Sequence, residues 1–121
     1  MIRSTATLIL ASCLASADVW TDAFSIEKIS LPPGVDAQIG GLATTPSGNL
    51  AACFHRGELF IYNPKEDTWK QFASGLHEPL GILAESDSSF LVMQRPELTR
   101  VSDTDGDGIG DLYQTVFDDF G

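Results

Sequence analysis

The chain has 121 residues and a formal net charge of −10, with 17 acidic residues against 7 basic ones. Such an acidic excess, without any cluster of lysine and arginine, argues against nucleic acid or an anionic lipid surface as a partner. The sequence also contains no Gly-rich phosphate loop and no C-x-x-C-H haem-attachment motif, so neither nucleotide binding nor covalent haem is predicted within these residues.

The N-terminus has the three parts of a secretory signal peptide. Arg3 supplies a positive charge, an apolar run extends from Ala6 to Leu14, and Ala15-Ser16-Ala17 provides a small-residue cleavage site. The apolar run is too short to span a bilayer. We therefore predict that residues 1–17 are removed, that the mature chain has a net charge of −11 and no transmembrane span, and that the protein is secreted or periplasmic.

Two other interpretations of this segment stay open. The residues 10–13 (Leu-Ala-Ser-Cys) fit a bacterial lipobox, in which Cys13 becomes the lipidated first residue and anchors the protein. The segment could instead form a first helix buried in the fold. If Cys13 leaves with the signal peptide, Cys53 is a lone thiol. Its apolar neighbours predict a small core residue rather than a nucleophile paired with His55.

The rest of the chain repeats itself at an offset of about forty residues. Each copy has four short apolar or alternating segments separated by polar turns. They lie at 41–44, 49–56, 58–61 and 69–72 in the first copy, and at 81–84, 89–95, 97–101 and 113–117 in the second. Four antiparallel strands that recur at this spacing are typical of the blades of a β-propeller.

We therefore predict an all-β chain that forms part of a propeller. A lead-in segment at 18–40 precedes a first four-stranded antiparallel blade at 41–76 and a second at 77–121. Because stacked repeats need about three or more units for stability, the chain is expected to be the opening part of a longer polypeptide, truncated at its C-terminus. The remaining blades of that parent chain are the expected partners. A complete small β-sandwich is the alternative.

The connection between the last two predicted strands carries an aspartate-rich loop whose spacing matches the first half of a calcium-binding loop. Four carboxylates so close together repel one another, and a dication that takes about six to eight oxygen ligands removes that repulsion. Carboxylates are expected to ligate at loop positions 1, 3, 5 and 9, and a backbone carbonyl at position 7. These ligands are Asp103, Asp105, Asp107, Asp111 and, through its carbonyl, Ile109.

The second half of the loop departs from the calcium pattern. Gln114 stands at position 12, where an EF-hand has a bidentate glutamate, so a weaker site is predicted, with Asp118 or Asp119 available as a further ligand. The flanking residues alternate like strands, which makes the loop a hairpin connection. The ion is predicted to be structural, because no substrate pocket is evident beside it. An ion-free acidic turn is the alternative.

Three other side chains have two interpretations each. His77, in the link between the two copies, is either a general base or a hydrogen-bonded linker residue, and the second is favoured. Arg95 and Arg100 could bind an anionic cofactor in a central channel. We favour ion pairs instead, Arg95 with a turn carboxylate such as Glu97, and Arg100 with the nearby aspartates.

The second copy resembles the start of a family of secreted bacterial propellers. The resemblance covers residues 26–121 and is carried by the segment 75–81, by Gln-Arg-Pro-Glu-Leu-Thr-Arg at 94–100 and by the aspartate-rich loop. The family comprises the "membrane-bound dehydrogenase domain" proteins of planctomycetes, which are similar to quinoprotein glucose and sorbosone dehydrogenases. It implies a six-bladed propeller that oxidises a sugar or alcohol with pyrroloquinoline quinone and passes electrons to haem c.

The catalytic and cofactor-binding residues of such enzymes would lie in later blades, so the present chain alone is expected to be inactive. A non-catalytic propeller module that binds protein or glycan is the alternative function. A calcium-dependent docking module would need a second aspartate loop, and the sequence has one.

Overall fold

The computed structural model of the protein describes residues 23–120, which form two four-stranded antiparallel sheets. Sheet 1 consists of β1 (Ile39–Thr44), β2 (Leu50–Phe54), β3 (Leu59–Asn63) and β4 (Thr68–Ala73). Sheet 2 consists of β5 (Gly81–Ala84), β6 (Ser89–Met93), β7 (Leu98–Ser102) and β8 (Leu112–Phe117). Strands that are consecutive in sequence are neighbours in each sheet. The predicted all-β class and the two four-stranded antiparallel units are confirmed.

Two other predictions about the architecture stay predictions. They are the closed propeller and the boundaries of its blades. The predicted signal peptide at 1–17 and the alternative processing at Cys13 lie outside the described residues. Among residues 23–120, no helix has the length and apolar character needed to cross a membrane.

The two sheets share one strand register. Gly41 pairs with Cys53 in sheet 1, and Gly81, forty positions later, pairs with Met93 in sheet 2. Both sheets also have an irregularity at the same step of the third and fourth strands, directly after Leu59 and directly after Leu98. Because residues opposite one another in antiparallel strands point to the same face, equivalent positions in the two sheets present equivalent faces.

The hydrophobic core lies between the sheets. The rings of Phe72 and Phe90 meet edge to face, with centroids 4.9 Å apart, and both side chains are fully buried. Aliphatic side chains from both sheets surround this pair. They are Ala51, Leu59, Ala73 and Leu76 from residues 51–76, and Val92 and Val101 from sheet 2. This arrangement places the inward face of each sheet in one shared core.

The inner strands of the two sheets approach so closely that glycine is required. A Cβ atom on Gly40 would lie 1.8 Å from the carbonyl oxygen of Pro79, and one on Gly41 would lie 3.0 Å from the Cα of Gly81. The backbones of β1 and the segment that leads into β5 are therefore in direct contact, whereas aromatic rings fill the space farther out. Sheets that converge at their inner strands in this way are compatible with blades arranged around an axis.

The lead-in segment covers the outer face of sheet 1. That face carries an aromatic cluster, in which Tyr62 and Trp69 have ring centroids 5.0 Å apart and Phe60 meets Trp69 edge to face. The indole Nε1 of Trp69 donates a hydrogen bond of 2.8 Å to the carbonyl oxygen of Ser30. This hydrogen bond fixes the lead-in segment to sheet 1 and gives the indole N–H of Trp69 an acceptor.

Cys53 is a core residue, as its apolar neighbours predict. Its side chain is fully buried, and its Sγ lies 3.7 Å from the carbonyl oxygen of Gly41. Burial raises the pKa of the Cys53 thiol, which disfavours the nucleophilic thiolate. His55 is exposed and its Nε2 lies 3.9 Å from a carboxylate oxygen of Glu78, so the structure gives His55 a partner other than the thiol.

Candidate functional site

The aspartate-rich loop connects β7 to β8 and is organised around Asp103. The carboxylate of Asp103 accepts hydrogen bonds from the backbone amides of Gly106, at 2.6 Å, and Gly108, at 2.9 Å. Both glycines have positive φ, +82° and +86°, which explains why glycine occupies these two turn positions. The amides of Gly108 and Gly106 also hold the pKa of the Asp103 carboxyl below its ordinary value, so the carboxylate form is favoured.

The first three aspartates of the loop converge. Carboxylate oxygens of Asp103, Asp105 and Asp107 all lie within 4.8 Å of one another. Hard oxygen donors at this spacing suit Ca²⁺, and a dication would offset the repulsion among three negative charges. Three carboxylates supply fewer ligands than calcium prefers, so backbone carbonyls or water would have to complete the shell. The donor set therefore fits calcium as a partial site.

The structure gives Asp111 and Ile109 local roles within the loop. Both carboxylate oxygens of Asp111 bind Thr104, one accepting from its amide at 2.9 Å and the other from its hydroxyl at 2.6 Å. These bonds lower the pKa of the Asp111 carboxyl and close the loop at its base. The amide of Ile109 donates to Asp107 at 2.8 Å. Asp111 lies outside the converging group, and ligation by either residue stays a prediction.

The loop is docked on the neighbouring sheet. The amide of Gly110 donates a 2.7 Å hydrogen bond to the carbonyl oxygen of Phe72 in β4. A Cβ atom on Gly110 would lie 2.7 Å from Cγ1 of Val101 and 3.0 Å from Cε1 of Phe72, so the backbone passes with no room for a side chain. Nearby, the hydroxyl of Tyr113 donates to the carbonyl oxygen of Ser74 at 2.9 Å. The loop of sheet 2 is thus part of the contact between the sheets.

A cleft of about 200 Å³ adjoins the loop. Its walls come from β3, β4, their connection and Asn49 of the β1–β2 turn in sheet 1, and from Asp87, Asp103 and Gly108 in sheet 2. Lys70 reaches across this cleft, since its Nζ would be 3.1 Å from a Cβ on Gly108. The sequence predicts no pocket beside the aspartates, and the structure differs. The walls of the cleft come from two sheets, which no spacing along the chain brings together.

Lys70→Met is expected to raise calcium affinity by about 3- to 10-fold, because two charges a few ångströms apart at a hydrated surface interact by about 1 kcal/mol. Lys70 brings a positive charge to the loop that would bind the ion. Isothermal titration with CaCl₂ at low ionic strength measures the effect. Lys65→Met, in the exposed connection before β4, is the control with the same change in net charge. Equal affinities for both variants would exclude a local effect of Lys70.

The arginines of sheet 2 have ion-pair partners that differ from the predicted ones. Arg100 binds Glu85 through two hydrogen bonds, of 2.7 and 2.9 Å, rather than the loop aspartates. This pairing lowers the pKa of Glu85 and raises that of Arg100. The Nε of Arg95 lies 3.4 Å from Glu78, which is the same carboxylate that approaches His55. Glu97 instead accepts hydrogen bonds from threonine hydroxyls.

His77 is tied into the link between the sheets by its backbone. Its carbonyl oxygen accepts a 2.9 Å hydrogen bond from the amide of Arg95, and its amide donates to the side chain of Gln94. Because both bonds are made by the backbone, the role of the His77 imidazole stays a prediction.

The class that the fold and the loop define is an all-β chain of two antiparallel sheets with an acidic loop docked between them. No protein-family model, no curated protein and no solved structure matches the chain.

Proposed function

We propose that the chain forms two successive blades of a calcium-containing β-propeller and that the aspartate-rich loop binds the ion. The observation that carries this proposal is the double attachment of the loop. Asp103, Asp105 and Asp107 converge in the first part of the loop, while Gly110 near its end is hydrogen-bonded to Phe72 of the other sheet. An ion that orders the first part of the loop would therefore also stabilise the packing of the two sheets.

The propeller part of the proposal is supported by the shared register and by the glycine contact between the inner strands. Sheets 1 and 2 have the same strand order, and both have an irregularity at the same step in the pairing of their third and fourth strands. The two sheets consequently turn equivalent faces in the same direction, as in repeat proteins in which each unit packs on the next.

The outer face of sheet 2 supports the addition of a further blade. Ala51, Leu59 and Ala73 of sheet 1 pack toward sheet 2 and are buried. The equivalent positions in sheet 2 are occupied by Leu91, Leu98 and Phe117, and the same face also presents Leu83 and Met93. Leu83, Met93 and Phe117 are 59%, 38% and 47% exposed. We propose that a sheet of the same repeat, in the parent polypeptide, covers this face.

This outer face should cause the 121-residue chain to self-associate, because contiguous exposed apolar patches mark interaction sites. The double variant Leu83→Lys, Met93→Lys places two like charges on the patch and is expected to weaken association by at least tenfold in sedimentation velocity. Ile26→Lys, at a fully exposed position of the lead-in segment, is the control and should leave association unchanged. A wild-type chain that stays monomeric at every concentration would contradict the proposed face.

Calcium is expected to stabilise the wild-type chain and not Asp105→Asn. Binding to the folded state alone adds about 2.7 kcal/mol to the free energy of unfolding at a ligand concentration about 100 times Kd. Thermal unfolding with CaCl₂, with MgCl₂ and with EDTA measures this shift. Glu27→Gln removes the same charge from the exposed lead-in segment and should respond like wild type. Equal calcium shifts for wild type and Asp105→Asn would refute the ion site.

For the parent polypeptide we propose, from the resemblance alone, a quinoprotein-type sugar or alcohol dehydrogenase in a secreted or periplasmic setting. The arginines of sheet 2 do not fit an anionic quinone cofactor, because Arg95 and Arg100 are already paired with Glu78 and Glu85. No step of such chemistry is assigned to the described residues. A non-catalytic binding module is the second candidate, and the cleft beside the loop favours it.

A further inference from the structure

We propose that residues 24–29 of the lead-in segment are the fourth strand of a further antiparallel sheet, whose other three strands lie elsewhere in the parent polypeptide. This strand assignment rests on the proposed function, since it extends the same repeat by one sheet. The lead-in segment contacts sheet 1 in the way that the link between the sheets, residues 74–80, contacts sheet 2. That link directly follows β4, which is the fourth strand of the sheet before it.

The first matching contact is a hydrogen bond donated by the fourth strand of each sheet. In sheet 1, the indole of Trp69 donates to the carbonyl oxygen of Ser30 at 2.8 Å. In sheet 2, the hydroxyl of Tyr113 donates to the carbonyl oxygen of Ser74 at 2.9 Å. Each donor is the second residue of its strand, and each acceptor lies 39 residues before its donor. Ser30 therefore has the same position relative to sheet 1 as Ser74 has relative to sheet 2.

The residues that follow these two serines also correspond. Two positions later, Pro32 and Leu76 are both buried. Four positions later, Gly34 and Glu78 both have positive φ, +79° and +45°. Because a positive φ is uncommon for a residue other than glycine, its presence at Glu78 indicates that the link makes the same backbone turn as the lead-in segment.

The lead-in segment and the link also end in the same contact with the sheet that follows. The amide of His55 donates to the carbonyl oxygen of Gln38 at 2.8 Å, and the amide of Arg95 donates to that of His77 at 2.9 Å. His55 and Arg95 lie at equivalent positions, in the turns between the second and third strands of their sheets. The lead-in segment is therefore docked on sheet 1, at both ends, as the link is docked on sheet 2.

Residues 24–29 have the length and the pattern of a fourth strand. They are six residues that end directly before the serine, as the six residues of β4 do. Phe24 and Ile26 alternate with polar residues, and no glycine or proline interrupts the segment. The segment also carries two charged residues, which suit an edge strand, as Lys70 does in β4.

This segment lies in neither of the two sheets that the structure describes. The side chains of Ile26 and Ile29 are 100% and 38% exposed. Sheets 1 and 2 each have their own fourth strand, so the acceptor lies outside residues 23–120. A three-stranded sheet of the same repeat would pair with the backbone of the segment and cover its isoleucines, as in strand addition to an open edge. Hydrogen bonds in that sheet would then join two separate parts of the polypeptide.

The test places the lead-in sequence at a fourth-strand position that the full chain already contains. In this graft the sequence of residues 24–30 replaces residues 112–118, so that β5, β6 and β7 serve as the three-stranded acceptor. Amide hydrogen exchange at 112–117 is expected to be slower, by about tenfold or more, than in a graft of the same residues in scrambled order. A graft of residues 68–74, which contain β4, shows the protection that an established fourth strand gives at this position.

Protection in the lead-in graft close to that in the β4 graft would support the assignment. Equal exchange rates in the lead-in graft and the scrambled graft would overturn it, whether or not either protein is folded. All three grafts keep residues 103–111, so calcium titration of the same proteins tests the ion site separately. Protection of the grafted strand without a calcium response would refute the ion site alone, and a calcium response without protection would refute the strand assignment alone.

Discussion

Phe72→Ala is expected to lower the free energy of unfolding by about 3 to 5 kcal/mol, the range for truncation of a buried phenylalanine in a core. The ring of Phe72 is only 1% exposed and meets Phe90 edge to face at 4.9 Å. Its removal would leave a cavity between the two sheets, which the close backbone contact at the inner strands prevents from collapsing. The penalty therefore includes lost burial, the lost aromatic pair and the unfilled cavity.

The matched control is Phe117→Ala. Phe117 and Phe120 form a ring pair with the same centroid separation, 4.9 Å, but their side chains are 47% and 53% exposed. We expect a loss below about 1 kcal/mol for this variant, because little area is buried there. Urea denaturation followed by tryptophan fluorescence gives both values. Losses of similar size for the two variants would contradict a core located between the sheets.

The same variant also tests the connection between packing and ion binding. The ring of Phe72 packs against the aspartate loop at Gly110, where a Cβ atom would lie 3.0 Å from its Cε1, and this contact is lost in the alanine variant although the backbone carbonyl that accepts from Gly110 is kept. If the loop needs this support, calcium should stabilise Phe72→Ala less than wild type, whereas Phe117→Ala should keep the full calcium response.

Gly40→Ala is expected to lower the free energy of unfolding by about 3 kcal/mol or more, at the upper end of the range for overpacked sites. The new methyl group would lie 1.8 Å from the carbonyl oxygen of Pro79. That atom belongs to the backbone and cannot rotate away, so the sheets would have to separate at their inner strands. Urea and thermal unfolding, together with the rate of proteolysis, measure the consequence.

Gly81→Ala provides the control for Gly40→Ala. It also adds a methyl group at an inner strand, but the nearest heavy atom would be the Cβ of Met93 at an ordinary 3.7 Å. Because alanine restricts the unfolded chain more than glycine does, the expected result is neutral or slightly stabilising, within about 1 kcal/mol. If the two alanine variants were equally stable, the close approach of the inner strands would have to be abandoned.

Local patterns in the sequence were sufficient to predict the strands. The alternation of apolar residues between turns rich in glycine, proline, asparagine and aspartate predicts β5 with the bounds that the structure has, 81–84, and predicts the start of β6 at residue 89. β6 ends at Met93, two residues before the predicted end. β1 begins two residues earlier than predicted, at Ile39, where the irregular pairing around Gly40 lies. The repeat aided these predictions, because the same order of four strands is indicated twice, once in each copy.

The candidate site was predictable only where its contacts are local. Asp103, Asp105 and Asp107 converge because they alternate within one turn, which spacing alone indicates. The pattern for the later positions assumes that a helix follows the loop. Here the chain enters β8 instead, and Asp111 binds Thr104. Contacts across sheets, such as the approach of Lys70 to the loop, depend on distances between the sheets, which the spacing of residues along the chain does not specify.

Because of the glycine contact between the inner strands, the two sheets cannot exchange places in the sequence. Leu80 occupies the position in sheet 2 that Gly40 occupies in sheet 1, and its side chain is 68% exposed. A tandem duplicate of residues 77–120 would therefore bring a leucine side chain against the next linker, where the existing junction tolerates only a hydrogen atom. An engineered tandem array of this sheet would need glycine in place of Leu80 at each junction. Otherwise the angle between successive sheets would have to be wider.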